Sequence, residues 1–193
     1  MVSAMEFFAI SNNIPVHISD SQKGDETIVL LHGYLETLYI FTEFSALLEK
    51  KYRVISIDLP GHGLSGSKDD VNSMEFAASV VVDVLDKCKV EKAFVAGHSM
   101  GGYVAQAVAE KYPEDVINLL LYGTGGNNNS PEMASLMGND VFVALMGPLM
   151  QLMTRFDFLV KLFLQMGLND SEYAANYDIS LITEPLRIDG TGK

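Results

Sequence analysis

Short apolar runs and turn residues alternate along the first two thirds of the chain. Phe7–Ile10 and Pro15–Ile18 flank Ser11-Asn12-Asn13, a spacing that predicts an N-terminal hairpin. Thr27–Leu31 (TIVLL) is apolar and β-branched without a polar break, as expected of a strand buried on both faces of a parallel sheet. It stops at His32-Gly33. A helix is predicted over Tyr39–Lys50, with Phe41, Phe44, Leu47 and Leu48 as its apolar stripe. The pattern then recurs. Arg53–Ile57 reads as a strand closed by Asp58-Leu59-Pro60-Gly61, and Ser73–Cys88 as a helix with Phe76, Val80, Val84 and Leu85 at helical spacing. Ala93–Ala96 is a strand closed by Gly97-His98-Ser99, Met100–Lys111 a helix, and Val116–Tyr122 a further strand.

Three strand–helix alternations predict an open, mostly parallel sheet with right-handed crossovers. Ligands of such sheets sit beyond the carboxyl ends of the strands, where His32, Asp58 and Ser99 all fall. After Gly123 the texture changes. A glycine- and asparagine-rich loop leads into Pro131–Leu168, rich in methionine, leucine and phenylalanine and without a strand signal. Two or three helices laid over the strand ends are expected there.

Gly97-His98-Ser99-Met100-Gly101 is a G-x-S-x-G element between a predicted strand and a predicted helix. That setting suits a serine held in a sharp, strained turn, with Gly97 and Gly101 leaving room for close backbone approach. Ser99 is the candidate nucleophile. The Met100 N–H, in the first helical turn, is a candidate oxyanion donor, because free N–H groups and the helix dipole favour negative charge there. A second donor is expected from the loop His32-Gly33-Tyr34, at the Tyr34 N–H. His32 and His98 are expected to support the site structurally.

Three segments, LLHGY at 30–34, DLPGHGLS at 58–65 and GHSMGG at 97–102, together resemble the α/β-hydrolase family. The resemblance is to its serine-nucleophile members: esterases, thioesterases and carbon–carbon-bond hydrolases. It implies a helix-flanked sheet of strand order 1-2-4-3-5-6-7-8 with a helical cap after strand six. The core would then occupy 1–130, the cap 131–176, and the start of the next core strand 177–193. The family's acid and histidine base follow the serine along the chain. Here the four histidines, His17, His32, His62 and His98, all precede Ser99. His62, in a strand-end loop, is the weak substitute for the base, and Asp189 the weak candidate for the acid. The expectation is a C-terminally truncated hydrolase, inactive as this chain because the final strand, its histidine loop and the last helix are missing. The sheet edge this would leave uncovered could support self-association.

Charge and composition narrow the classes. The 193 residues carry a formal net charge of −12, the wrong sign for a nucleic-acid binder. A single cysteine, Cys88, excludes an intrachain disulfide and a cysteine metal cluster. No metal or other cofactor is expected. The N-terminus lacks the basic region of a secretory signal, and the apolar stretch Val141–Thr154 falls short of the about 20 residues a membrane helix needs. A cytoplasmic enzyme acting on a small molecule is expected: acyl transfer from a small, mostly apolar ester or thioester to Ser99, then hydrolysis. A non-catalytic ligand-binding or regulatory homologue that keeps the pocket remains the alternative.

Overall fold

The computed structural model of the chain describes residues 4–68, 73–124, 156, 158 and 180. All the elements below belong to the compact unit that spans Met1–Thr124. The expected cap at 131–176, the strand start at 177–193 and Asp189 lie outside the described residues.

Strands β1 (Met5–Ser11) and β2 (Ile14–Asp20) form the expected hairpin, with Ser11 opposite Ile14. Its two turn residues, Asn12 and Asn13, have φ of 50° and 67°. A two-residue turn with both φ positive matches the strands' right-handed twist, and asparagine tolerates that conformation. β2 pairs antiparallel with β4 (Arg53–Ile57), which runs parallel to β3 (Thr27–Leu31). β3 pairs on its other side with β5 (Ala93–His98), and β5 with β6 (Val116–Tyr122), both parallel. The order is β1-β2-β4-β3-β5-β6, the first six positions of the expected sheet.

Every residue of β3 is buried, and the two faces of the sheet divide its side chains by the period of two. Val29 and Leu31 join Ile55, Ile57 and Val95 in a core covered by α2 (Met74–Lys87) and α3 (Met100–Lys111). Ile28 and Leu30 join Val54 and Ala96 on the opposite face, under Phe41. Ser73 caps α2, its hydroxyl accepting from the Phe76 N–H at 3.1 Å.

The helix predicted over 39–50 is shorter and faces differently. A 3₁₀ turn over Leu38–Phe41 precedes α1 (Thr42–Leu48). Leu38 and Phe41, three apart in a three-residue turn, both point inward. On the 100° wheel that follows, Leu48 returns to within about 20° of Phe41, Phe44 sits about 60° away and Leu47 about 120°. Leu48 accordingly packs on the core, while Phe44 and Leu47 are 45% and 61% exposed. The other difference helps the site: β5 continues through His98, so the turn begins at Ser99 itself.

Candidate active site

Ser99 stands between the end of β5 and the start of α3, at φ 49° and ψ −116°. A positive φ at a residue with a Cβ costs on the order of 1–3 kcal/mol and persists only where neighbours enforce it. Here they do. The Ser99 N–H donates to the Tyr122 carbonyl at 3.2 Å, and the Ser99 carbonyl accepts from the Gly102 N–H at 3.0 Å. A Cβ on Gly97 would lie 2.3 Å from the Gly101 carbonyl oxygen, and one on Gly101 would lie 2.2 Å from that of Leu31. Backbone meets backbone at both places, so neither position admits a side chain. The Met100 N–H, in the first turn of α3, has no partner within the helix, as helix geometry dictates.

The loop after β3 abuts this turn. A Cβ built on Gly33 would be 3.0 Å from that of Ser99. The Gly33 N–H donates to Glu36 Oε2 at 2.6 Å, and the same oxygen accepts from His98 Nδ1 at 2.9 Å. The Tyr34 N–H has no acceptor among the described residues, and its side chain is exposed. His98 is half-buried and stacks on Tyr122, with centroids 5.0 Å apart. Its bond to Glu36 raises its pKa against the opposing effect of burial.

His32 is fully buried and neutral. Its Nε2 accepts from the Leu59 N–H at 3.0 Å, so the proton sits on Nδ1, which donates to the Gly33 carbonyl at 2.8 Å. Burial holds its pKa below the ordinary histidine value. The ring thus ties the loop after β3 to the loop after β4.

Asp58, also fully buried, organises the second loop. Its carboxylate accepts from the N–H groups of Leu38 at 2.7 Å and Leu64 at 2.9 Å, and from His17 Nδ1 at 2.8 Å. His62 donates from Nδ1 to the Pro60 carbonyl at 3.1 Å, while its buried Nε2 has no partner among the described residues. It lies against the rings of His32 and Tyr34. Burial first, then the neighbouring His32, pushes its pKa down to about 4. Among the described residues no imidazole hydrogen-bonds to the Ser99 hydroxyl. Two participants were not singled out from sequence. Glu36 sits in a loop with no periodicity to mark it, and His17 meets Asp58 across 41 positions.

Residues 26–178 match the family model of the alpha/beta hydrolase fold. The chain belongs to that family. Among α/β-hydrolase relatives, the 2-hydroxy-6-oxononadienedioate/2-hydroxy-6-oxononatrienedioate hydrolase of Escherichia coli K12 is 38% identical over 120 residues, 57% of this chain and 40% of that protein. The Paraburkholderia phymatum protein of the same name is 41% identical over equal shares. The chain thus spans about two fifths (40%) of the length of the curated relatives it matches. Cfl2 from Burkholderia cenocepacia shares the fold, with a TM-score of 0.75 at 23% identity over 96% of this chain and 66% of that one. The enol-lactonase of Burkholderia xenovorans LB400 is 25% identical, with a TM-score of 0.56 over 58% and 45%. Among the described residues no cluster of His, Cys, Asp or Glu could hold a metal ion, and no helix is long and apolar enough to cross a membrane.

Proposed function

We propose that this α/β-hydrolase chain carries a serine-hydrolase site in which Ser99 attacks a carbonyl carbon and the Tyr34 and Met100 N–H groups stabilise the oxyanion. The observation that carries the reading is Ser99 itself. A serine is held at φ 49° at the N-terminus of a twelve-residue helix and against the Gly33 loop, a strained conformation that fits a nucleophile turn. Attack would form the Oγ–carbon bond, pass the hydroxyl proton to a base and expel the leaving group with a proton. Water would then release the acyl group and restore Ser99.

The substrate class we favour is a small, mostly apolar ester or thioester. The relatives named as hydrolases of an oxo-dienedioate support a second choice, a ketone-bearing acid. Both present a polarised carbonyl. The epoxide hydrolases that share the fold, such as the Mycobacterium thermoresistibile enzyme at 26% identity and TM-score 0.57 over 62% of this chain and 39% of that one, speak for neither.

Of the four histidines, His62 keeps a buried nitrogen, Nε2, without a described partner, and at a pKa of about 4 it is a weak base near neutrality. Acylation by this chain should therefore be slow. Intact-mass analysis after fluorophosphonate treatment tests the reading. One adduct on the wild type and none on Ser99→Ala is expected. A folded wild type that takes no adduct would overturn the nucleophile assignment and favour a non-catalytic binding homologue.

A further inference from the structure

We propose that Glu36 is a positioning residue of this site, a carboxylate that ties the loop after β3 to the turn carrying Ser99 and aims the Tyr34 N–H. The inference rests on reading Ser99 as the nucleophile, and it deepens that reading.

One oxygen makes both ties. Glu36 Oε2 accepts from the Gly33 N–H at 2.6 Å and from His98 Nδ1 at 2.9 Å. Gly33 is the residue whose Cβ would meet that of Ser99, and His98 is the chain neighbour of Ser99. The carboxylate therefore spans the two backbone segments that must hold their spacing while an oxyanion forms between them. The loop is also closed on itself, because the Glu36 N–H donates to the Gly33 carbonyl at 3.3 Å. Inside that closed turn Leu35 sits at φ 59°, a conformation that a leucine keeps only under constraint. With the Gly33 N–H taken by Glu36, the next amide, Tyr34, has no acceptor among the described residues.

A bare carboxylate beside a developing oxyanion would oppose it. His98 supplies the compensation. The groups that face its ring are Glu36 from the loop after β3, Tyr122 stacked on it from β6, and His32 within electrostatic reach. Tyr122 is held neutral, its phenol pushed up to about 12 by burial and then by Glu36, and His32 is neutral by burial. Glu36 is thus the one anion on the ring among the described residues, and the bond to it favours the imidazolium. Below the pKa of His98 the pair is neutral overall, and above it the carboxylate stands uncompensated.

The test uses the full chain with Glu36→Ala and Glu36→Gln, each checked for a cooperative unfolding transition. Three readouts are compared with wild type: NMR titration of His98, hydrogen exchange of the Gly33 amide, and the fluorophosphonate labelling rate from pH 5 to 9. E36A should exchange the Gly33 amide at least about tenfold faster, lower the His98 pKa and label about tenfold more slowly. E36Q keeps an acceptor for the Gly33 N–H but not the charge. It should hold the amide, still lower the His98 pKa, and recover part of the labelling rate with an altered pH profile. If Gly33 exchange and the His98 titration match wild type in both variants, Glu36 ties neither segment and the proposal falls. If both readouts shift while labelling stays at the wild-type rate, its link to the serine falls. A wild type that takes no adduct sinks the nucleophile reading alone, because the exchange and titration shifts then stand as independent evidence for the tie.

Discussion

His62 shows what a polar side chain costs when its partners run out. Its Nδ1–H is used by the Pro60 carbonyl, and its Nε2 is buried with no partner among the described residues. Protonating Nε2 in the folded state would place a charge beside His32 with nothing to accept its hydrogen, and the pKa falls to about 4. In the unfolded chain the same group binds its proton near pH 6.5. Between those values the unfolded state holds a proton that the folded state refuses, so stability falls as pH drops from 6.5 and levels off below 4. His32, also depressed by burial, adds to this slope. His98 opposes it: its raised pKa contributes stability that is full below pH 6.5 and is lost as pH rises through the folded value. Comparing wild type with His62→Gln isolates one group from the others. Urea unfolding at pH 7 and pH 4.5 should show the wild type losing about 2 kcal/mol more than the variant. Equal losses would mean that His62 takes up its proton in the fold without penalty.

At the scale of elements, the backbones of α3 and β3 meet at Gly101 with no side chain between them. The Cβ that Gly101→Ala adds would lie 2.2 Å from the Leu31 carbonyl oxygen and 2.5 Å from that of His32. Both obstacles are backbone at the end of a fully buried strand, so the helix must move away from the sheet. Such overpacking costs about 1–3 kcal/mol where side chains can give, and about 3 kcal/mol or more is expected where they cannot. A urea-unfolding loss below about 1 kcal/mol would show that α3 slides freely on β3. The strands feeding this contact were legible because burial on both faces leaves uninterrupted apolar runs, and TIVLL and RVISI became β3 and β4 residue for residue. The exposed faces of Phe44 and Leu47 were not. A stripe drawn over 39–50 assumes one helical period, and the 3₁₀ turn at Leu38–Phe41 resets the phase. The strained serine was legible from its glycines, since they mark close approach of backbones. Glu36 was not, because nothing local distinguishes a loop carboxylate that bonds to a histidine 62 positions away.

Across the whole molecule, the N-terminal hairpin joins the parallel part of the sheet through one short antiparallel pairing. One ion pair braces that junction. Asp20 ends β2 and Arg53 begins β4. Their contact is bidentate, Nε to Oδ1 at 3.0 Å and Nη2 to Oδ2 at 2.6 Å, and Nη2 also donates to the Cys88 carbonyl at 3.1 Å, at the end of α2. Three parts of the fold thus converge on one guanidinium. Asp20 is 1% exposed and its Oδ1 also accepts from the Gln22 N–H, so its desolvation is matched by good geometry. Removing one partner is the costly change, since the other charge is left in a partly buried site without its partner. Asp20→Ala should destabilise by about 3 kcal/mol or more in urea unfolding at pH 7. Arg53→Lys should also weaken the fold, because an ammonium cannot match the fork to both oxygens and the carbonyl. The double variant Asp20→Ala/Arg53→Met removes both charges and should recover most of the loss. A D20A cost within about 0.5 kcal/mol of zero would place the pair among solvated surface contacts, and the hairpin would then be fastened by its backbone ladder to β4, the His17–Asp58 bond and the packing of Ile14, Val16 and Ile18.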